Sequence, residues 1–207
     1  MTMNSMFPIF VKLEGRPVLV VGAGKVAESK IKGLLDTGAR IRVVTREASD
    51  SVREWARMGK IVLEERPFTP VDLEGVFLTI VATSSRTLNE AVFREAQRCG
   101  VLCNVVDVPE LCDFFYPAVV RRGDLQIAIS TSGQSPSLAQ RIRQELEQQF
   151  GPGYADWVAE LGATRRDVLK SDLDSATKRE LLQSFASRHA FEARLAELVM
   201  AEKGDAA

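Results

Sequence analysis

The chain has 207 residues, 45% of them hydrophobic and 27% charged, the balance of a folded globular protein and not of a disordered or collagen-like one. With 27 Lys+Arg against 28 Asp+Glu the net charge is -1, so no global field recruits nucleic acid or an anionic membrane. His189 is the single histidine, and a Ser-His-Asp site, an HExxH zinc site or a multi-histidine metal site would each have to be built from it.

Cys99, Cys103 and Cys112 are an odd number without paired CxxC spacing. They fit a reducing cytoplasm and read as small buried apolar residues. No apolar run approaches the ~20 residues that span a bilayer, and Met1-Thr2-Met3-Asn4 lacks a basic region leading into an apolar one, so a cytoplasmic protein is expected.

Pro17-Val-Leu-Val-Val21 is an apolar run with the character of a fully buried strand, and it breaks straight into glycines. A helix follows, with Ala27, Ile31, Leu34 and Leu35 on one face and Gly38 placed to end it. Ile41–Thr45 reads as a second strand. Val52, Trp55 and Ala56 mark a second helix starting near Ser49 and stopping near Gly59, and Ile61–Leu63 reads as a third strand. Thr69-Pro70 is a short helix start. Val76–Ala82 is a fourth strand, Leu88, Ala91, Val92, Ala96 and Cys99 form a helix stripe, and Val101–Val106 is a fifth strand. Strands alternating with helices imply parallel pairing through right-handed crossovers. The expected fold is therefore α/β, a Rossmann-like doubly wound parallel sheet of about five strands.

After about residue 113 the pattern changes. Ala118–Val120 and Leu125–Ile129, joined through Arg122-Gly123-Asp124, predict an antiparallel hairpin. Ser135-Pro136 caps a helix carrying Leu138, Ile142 and Leu146 up to Phe150. Gly151-Pro152-Gly153 is a break. Beyond it Trp157, Val158 and Leu161, then Leu181, Leu182 and Phe185, then Leu195, Leu198 and Val199 predict a small helical region. The expected organisation is 1–113 for the nucleotide-binding sheet, 114–150 for the hairpin and its helix, and 151–207 for the helical remainder.

Gly22-Ala23-Gly24-Lys25-Val26-Ala27 is GxGxxA between a strand and a helix. In this context Gly22 allows the tight turn, Gly24 lets the backbone approach a pyrophosphate, and Ala27 permits close helix–strand packing. The helix N-terminus offers free N–H donors to the anion. An acidic residue is expected about 20 positions on, where it would hold the adenosine ribose. Here the second strand ends Val44-Thr45-Arg46-Glu47: Glu47 fits that role, whereas Arg46 fits stacking on adenine or a 2′-phosphate. The residues leave NAD against NADP open. Ligands of such sheets sit beyond the strands' carboxyl ends, which selects Gly22–Lys25, Thr45–Glu47, Ala82-Thr83-Ser84 and Asn104–Pro109. Asp107 is the acid directly after a strand, readable either as a functional group or as a turn former before Pro109.

Pro8–Leu13, Val20–Ala27, Cys103-Asn104-Val105-Val106-Asp107-Val108-Pro109 and Ser130-Thr-Ser-Gly-Gln-Ser-Pro-Ser-Leu-Ala139 together resemble the precorrin-2 dehydrogenase family, the N-terminal module of sirohaem synthases. The resemblance runs in order from about residue 6 to 150. It implies NAD-dependent oxidation of precorrin-2 to sirohydrochlorin, with Asp107 in the catalytic position as general base or orienting group. Cofactor contacts are implied for Gly22, Ala23, Gly24, Lys25, Val26, Thr45, Arg46, Glu47, Ala82, Thr83, Asn104 and Val105.

The resemblance also implies a homodimer whose contacts and part of whose substrate cleft come from about 114–150. Some members insert ferrous iron to give sirohaem; the resemblance leaves open a member with this step and a dehydrogenase-only one, and no metal ligands are assigned. The substrate carries many carboxylates. Arg121, Arg122, Arg141 and Arg143 are the cationic residues placed to meet them, with Thr131, Ser132 and Ser135 as hydrogen-bonding partners. Relatives can carry a serine linked to phosphorylation where Thr131 stands here. The family's methyltransferase module is not seen in this sequence, so a separate enzyme is expected to supply precorrin-2. Hydride transfer to NAD explains how a chain with one histidine can be an oxidoreductase. The competing reading is a regulatory NAD-sensing module of the same fold without catalysis. A short-chain reductase would want Tyr-xxx-Lys, which neither Tyr116 nor Tyr154 supplies.

Overall fold

A computed structural model describes residues 6–204, and the side chains of Leu198, Val199 and residues 201–204 lie outside the described residues, as does the start Met1–Asn4. The chain divides into two compact units, Met1–Tyr116 and Pro117–Ala207.

In the first unit five strands, β1 (Pro17–Val21), β2 (Arg40–Thr45), β3 (Val62–Glu65), β4 (Leu78–Val81) and β5 (Leu102–Val105), form one parallel sheet of order β3-β2-β1-β4-β5. Three helices, α1 (Lys25–Leu35), α2 (Asp50–Arg57) and α3 (Arg86–Cys99), supply crossovers, and a short 3₁₀ turn at Pro70–Leu73 lies between β3 and β4.

Alternation along each strand sends side chains to two cores. Val18, Val20, Ile41, Val43 and Ile80 pack with Ala27, Ile31, Leu34 and Val52 of α1 and α2. Leu19, Val21, Val44, Val81, Cys103 and Val105 pack with Leu73, Val92 and Ala96 on the other face. Chain order reverses at β1, from which β2 and β4 leave in opposite directions. This is the switch point, and the strand ends around it open a crevice.

β3 begins one residue later than Ile61 and runs on to Glu65, because Glu64 and Glu65 are held by cations: Arg66 on Glu64 and Arg53 on Glu65 at 2.7 Å. The first helix ends at Leu35 with Asp36 as its C-cap, and Gly38 follows at φ 70° in the turn to β2. The outer edge of β5 is covered by its own continuation. Asp113 N–H donates to the Cys103 carbonyl at 2.8 Å, and Asp113 Oδ2 accepts from Cys103 N–H at 2.9 Å.

The second unit opens with an antiparallel hairpin, β6 (Ala118–Arg122) and β7 (Leu125–Ile129), followed by α4 (Pro136–Gln149), α5 (Tyr154–Lys170), α6 (Ser175–Phe185) and α7 (Arg188–Gly204). Tyr154 lies 5.5 Å from Trp157 and 4.1 Å from Phe191 between ring centroids, an aromatic cluster joining α5 to α7. Among the described residues no helix is long and apolar enough to cross a membrane. All three cysteines are free; Cys103 is buried as expected, but Cys112 is half-buried and Cys99, the last residue of α3, is exposed.

Candidate dinucleotide site

Gly22 directly follows β1 at φ 102°, and a Cβ there would sit 2.3 Å from the Ala82 carbonyl oxygen, so both the backbone and the neighbouring strand exit demand glycine. Gly24 is the N-cap of α1. Its side has open space, nothing lying within 4 Å of where a Cβ would project, and no side chain caps the helix. The first N–H groups of α1 have no partner within the helix. α3, whose N-terminus also faces the crevice, is different: Ser85 Oγ accepts from Leu88 N–H at 3.4 Å. Of these two helix ends, α1 is the one open to an anion.

Around this turn lies a cleft of about 740 Å³. One lobe, beyond β2 and β3, is walled by Thr45, Arg46, Glu47, Arg66, Pro67 and Phe68. The other, beyond β4 and β5, is walled by Ala82, Thr83, Ser84, Leu88, Val106 and Asp107, with Gly22–Val26 between them. The arrangement suits a ligand with two nucleoside halves joined by a pyrophosphate. Thr45 Oγ1 donates to the Glu47 carbonyl at 2.8 Å, which turns the chain so that Arg46 and Glu47 are both exposed on the rim. Thr83 Oγ1 donates to Asn89 Oδ1 at 2.6 Å and Asn89 Nδ2 donates back to the Thr83 carbonyl at 3.2 Å, so a buried amide fixes the loop after β4.

Asp107 is exposed at the lip of the cleft with φ 63°. Val108 N–H donates to the Val105 carbonyl at 3.2 Å, so Asp107 occupies the third position of a tight turn where glycine or asparagine is the ordinary occupant. Asn104 and Val105, expected at the cofactor, stay in β5 outside the cleft lining. Val105 is in the core, and Asn104 Nδ2 donates to the Phe114 carbonyl at 2.7 Å, anchoring the returning edge segment. Burial pushes the Cys103 thiol up to about 12, which keeps it protonated and inert.

The residues expected to meet substrate carboxylates lie in the second unit, and several are already engaged. Arg122 Nε donates to the Phe150 carbonyl at 2.8 Å and its Nη2 to the Glu147 carbonyl at 3.1 Å, closing the end of α4. Arg141 pairs with Glu145 at 3.4 Å and Arg143 with Glu147, each one helical turn away. Arg121 is exposed. Thr131 Oγ1 accepts from Ser135 N–H at 3.1 Å and Ser135 Oγ accepts from Leu138 N–H at 3.3 Å, so both start α4, while Ser132 at φ 52° forms the turn before it. His189 is exposed on α7. Sequence patterning does not single out the wall Arg66-Pro67-Phe68 or the buried Asp72; the available signals are Pro67, two residues past the end of β3, and the Thr69-x-x-Asp72 spacing of a capping box.

The parallel sheet, the glycine turn at its switch point and the two-lobed cleft define a nucleotide-binding protein of the Rossmann class. Residues 9–118 match the family described as Putative NAD(P)-binding, and residues 122–149 match Sirohaem biosynthesis protein central. The chain belongs to the putative NAD(P)-binding family. It is 42% identical over 173 residues to a siroheme synthase of Neisseria meningitidis serogroup C (strain 053442), covering 84% of this chain and 36% of the relative. It is 40% identical over 196 residues to a siroheme synthase of Ectopseudomonas mendocina (strain ymp), covering 95% of this chain and 41% of the relative. The chain thus spans well under half the length of these relatives. The solved structure of SirC, precorrin-2 dehydrogenase, superposes with a TM-score of 0.78 at 29% identity, over 93% of this chain and 100% of that one.

Proposed function

We propose that this chain oxidises precorrin-2 to sirohydrochlorin with NAD as hydride acceptor. The observation that carries the reading is the likeness to precorrin-2 dehydrogenase along that protein's entire length, hairpin and helices included. A nucleotide-sensing module would need only the first unit.

The residues fit the cofactor: an uncapped helix N-terminus for the pyrophosphate, open space beside Gly24, and Glu47 on the rim beyond β2, where its carboxylate would accept from ribose hydroxyls. Glu47 at that position supports NAD over NADP, since a 2′-phosphate would meet a like charge. The bound nicotinamide supplies a hydride acceptor. Dehydrogenation removes one hydride and one proton from the macrocycle. Asp107, at the lip of the lobe beyond β4 and β5, is the residue to which we assign the proton. In the members that insert ferrous iron the substrate loses pyrrole protons, and Asp107 is the group for that step as well.

The test is an anaerobic assay with precorrin-2 and either NAD or NADP, with and without ferrous iron, following reduced cofactor at 340 nm and sirohydrochlorin by its absorbance. Sirohydrochlorin formed in equal amount to NADH, and faster than with NADP, is expected. No turnover with either cofactor would remove the dehydrogenase reading, and sirohaem in the iron arm would add the chelatase step.

A further inference from the structure

The cleft wall beyond β3 is held by a cluster of charges that the proposed chemistry does not use. Arg42 lies on the β2 face that carries Val44, and its side chain is half-buried. Opposite it sits Asp72, at the end of the 3₁₀ turn, with only 3% of its side chain exposed. Its carboxylate accepts from Arg42 Nη1 at 2.8 Å, from Arg66 Nη2 at 2.6 Å and Nη1 at 2.8 Å, and from Thr69 N–H at 2.8 Å. Its backbone carbonyl accepts from Arg42 Nη2. A buried carboxylate needs this many donors, because leaving one cation or the acid alone there costs several kcal/mol. The Arg66 guanidinium holds the Asp72 carboxyl far below the usual carboxylate range, so the cluster stays charged at every pH at which an enzyme of this kind is assayed.

Arg66 lines the cleft, yet its Nη donors are all committed. Nη1 gives to Asp72 and to the Pro67 carbonyl at 3.0 Å, and Nη2 gives to Asp72 and Glu64. With two carboxylates on it, this guanidinium is neutralised and offers little charge to a phosphate. What it does instead is fix its own main chain. The segment Arg66–Phe68 leaves β3 beside the exit of β2, where Thr45 is in register with Glu65, and walls the lobe that Arg46 and Glu47 border. That is the lobe in which the acidic residue after β2 holds the adenosine half.

We propose that Asp72 is a positioning residue for the dinucleotide. Through Arg66 it holds the Arg66–Phe68 wall against the adenosine half, without touching the nucleotide itself. The inference rests on the reading of the cleft as an NAD site and deepens it.

Calorimetric titration of the full chain with NAD, AMP and nicotinamide mononucleotide tests it. The variants are Asp72→Asn, Arg66→Ala and Arg66→Lys, with Val101→Ala as a core control whose loss of thermal stability carries no change at the wall. Asp72→Asn and Arg66→Ala are expected to weaken NAD and AMP about tenfold and leave nicotinamide mononucleotide unchanged. Arg66→Lys recovers part of the loss, and Val101→Ala binds all three like the wild type. Arg66→Ala leaves Asp72 paired with Arg42, so it stays folded and tests the proposal even in the event that Asp72→Asn fails to fold. A folded Arg66→Ala protein with wild-type affinity for NAD and AMP overturns the proposal alone, and so does an equal loss of AMP and nicotinamide mononucleotide. Failure of the wild type to bind NAD overturns the cleft reading and this proposal together.

Discussion

A non-glycine residue at φ 63° carries a strain of roughly 1 kcal/mol, less for a short polar side chain such as Asp than for a larger one. Asp107 bears that strain on the lip of the cleft, where glycine would make the same turn at no steric cost. Asp107→Gly is therefore expected to leave the first unit as stable or up to ~1 kcal/mol more stable in urea, while turnover is lost. Asp107→Asn separates geometry from chemistry. Asparagine tolerates the same turn but takes no proton, so NAD affinity should persist with kcat down by roughly 10²–10⁴. An Asn variant oxidising precorrin-2 at the wild-type rate would remove the proton-acceptor role. Both readings of Asp107 were open in the sequence, since a turn-forming Asp and a functional one share the position after a strand. The glycines were legible because backbone approach admits few alternatives. Asp72 was not, because a burial that depends on Arg42 and Arg66, 30 and 6 residues away, leaves no local pattern beyond a capping box.

At the scale of elements, alternation of apolar runs with helical stripes pointed to the parallel sheet, because parallel strands need a crossover connection and a helix supplies one. The register of β3 was harder to read: its last residues are two glutamates, which enter the strand because Arg53, Arg66 and Arg42 accompany them. β4 shows the converse. Thr79 is fully buried between Leu19 of β1 and Cys103 of β5, and its hydroxyl has no hydrogen-bond partner. β-branching suits the strand, but an unsatisfied hydroxyl on a core face costs about 1–3 kcal/mol. Thr79→Val keeps the shape and removes the polar atom. A gain of about 1 kcal/mol in the unfolding free energy of the first unit is expected, with a melting temperature higher by roughly 2–4 °C. A loss of stability would show that the hydroxyl is satisfied in solution.

For the whole molecule, the two units are unlike in their cores. The first buries both faces of its sheet, whereas in the second only Val120, Ala139 and Phe191 are buried apolar side chains among the described residues. Its β6–β7 ribbon is two-stranded, so among the described residues each strand has one neighbouring strand and one edge on which no strand pairs. Such a ribbon is marginal alone, and open edges pair with another chain unless something blocks them. Leu138, Leu169, Leu173 and Phe185 are exposed as well. We therefore expect a homodimer in which a second copy covers this unit. Light scattering at micromolar concentration should give twice the 22.8 kDa chain mass. Because association then contributes to folding, the second unit's melting temperature should rise with protein concentration. Ile127→Asp, in the middle of β7, should lower both the mass and that melting temperature while the nucleotide cleft of the first unit still binds NAD. A wild-type monomer whose second unit melts at the same temperature at every concentration would show that its thin core suffices without a partner.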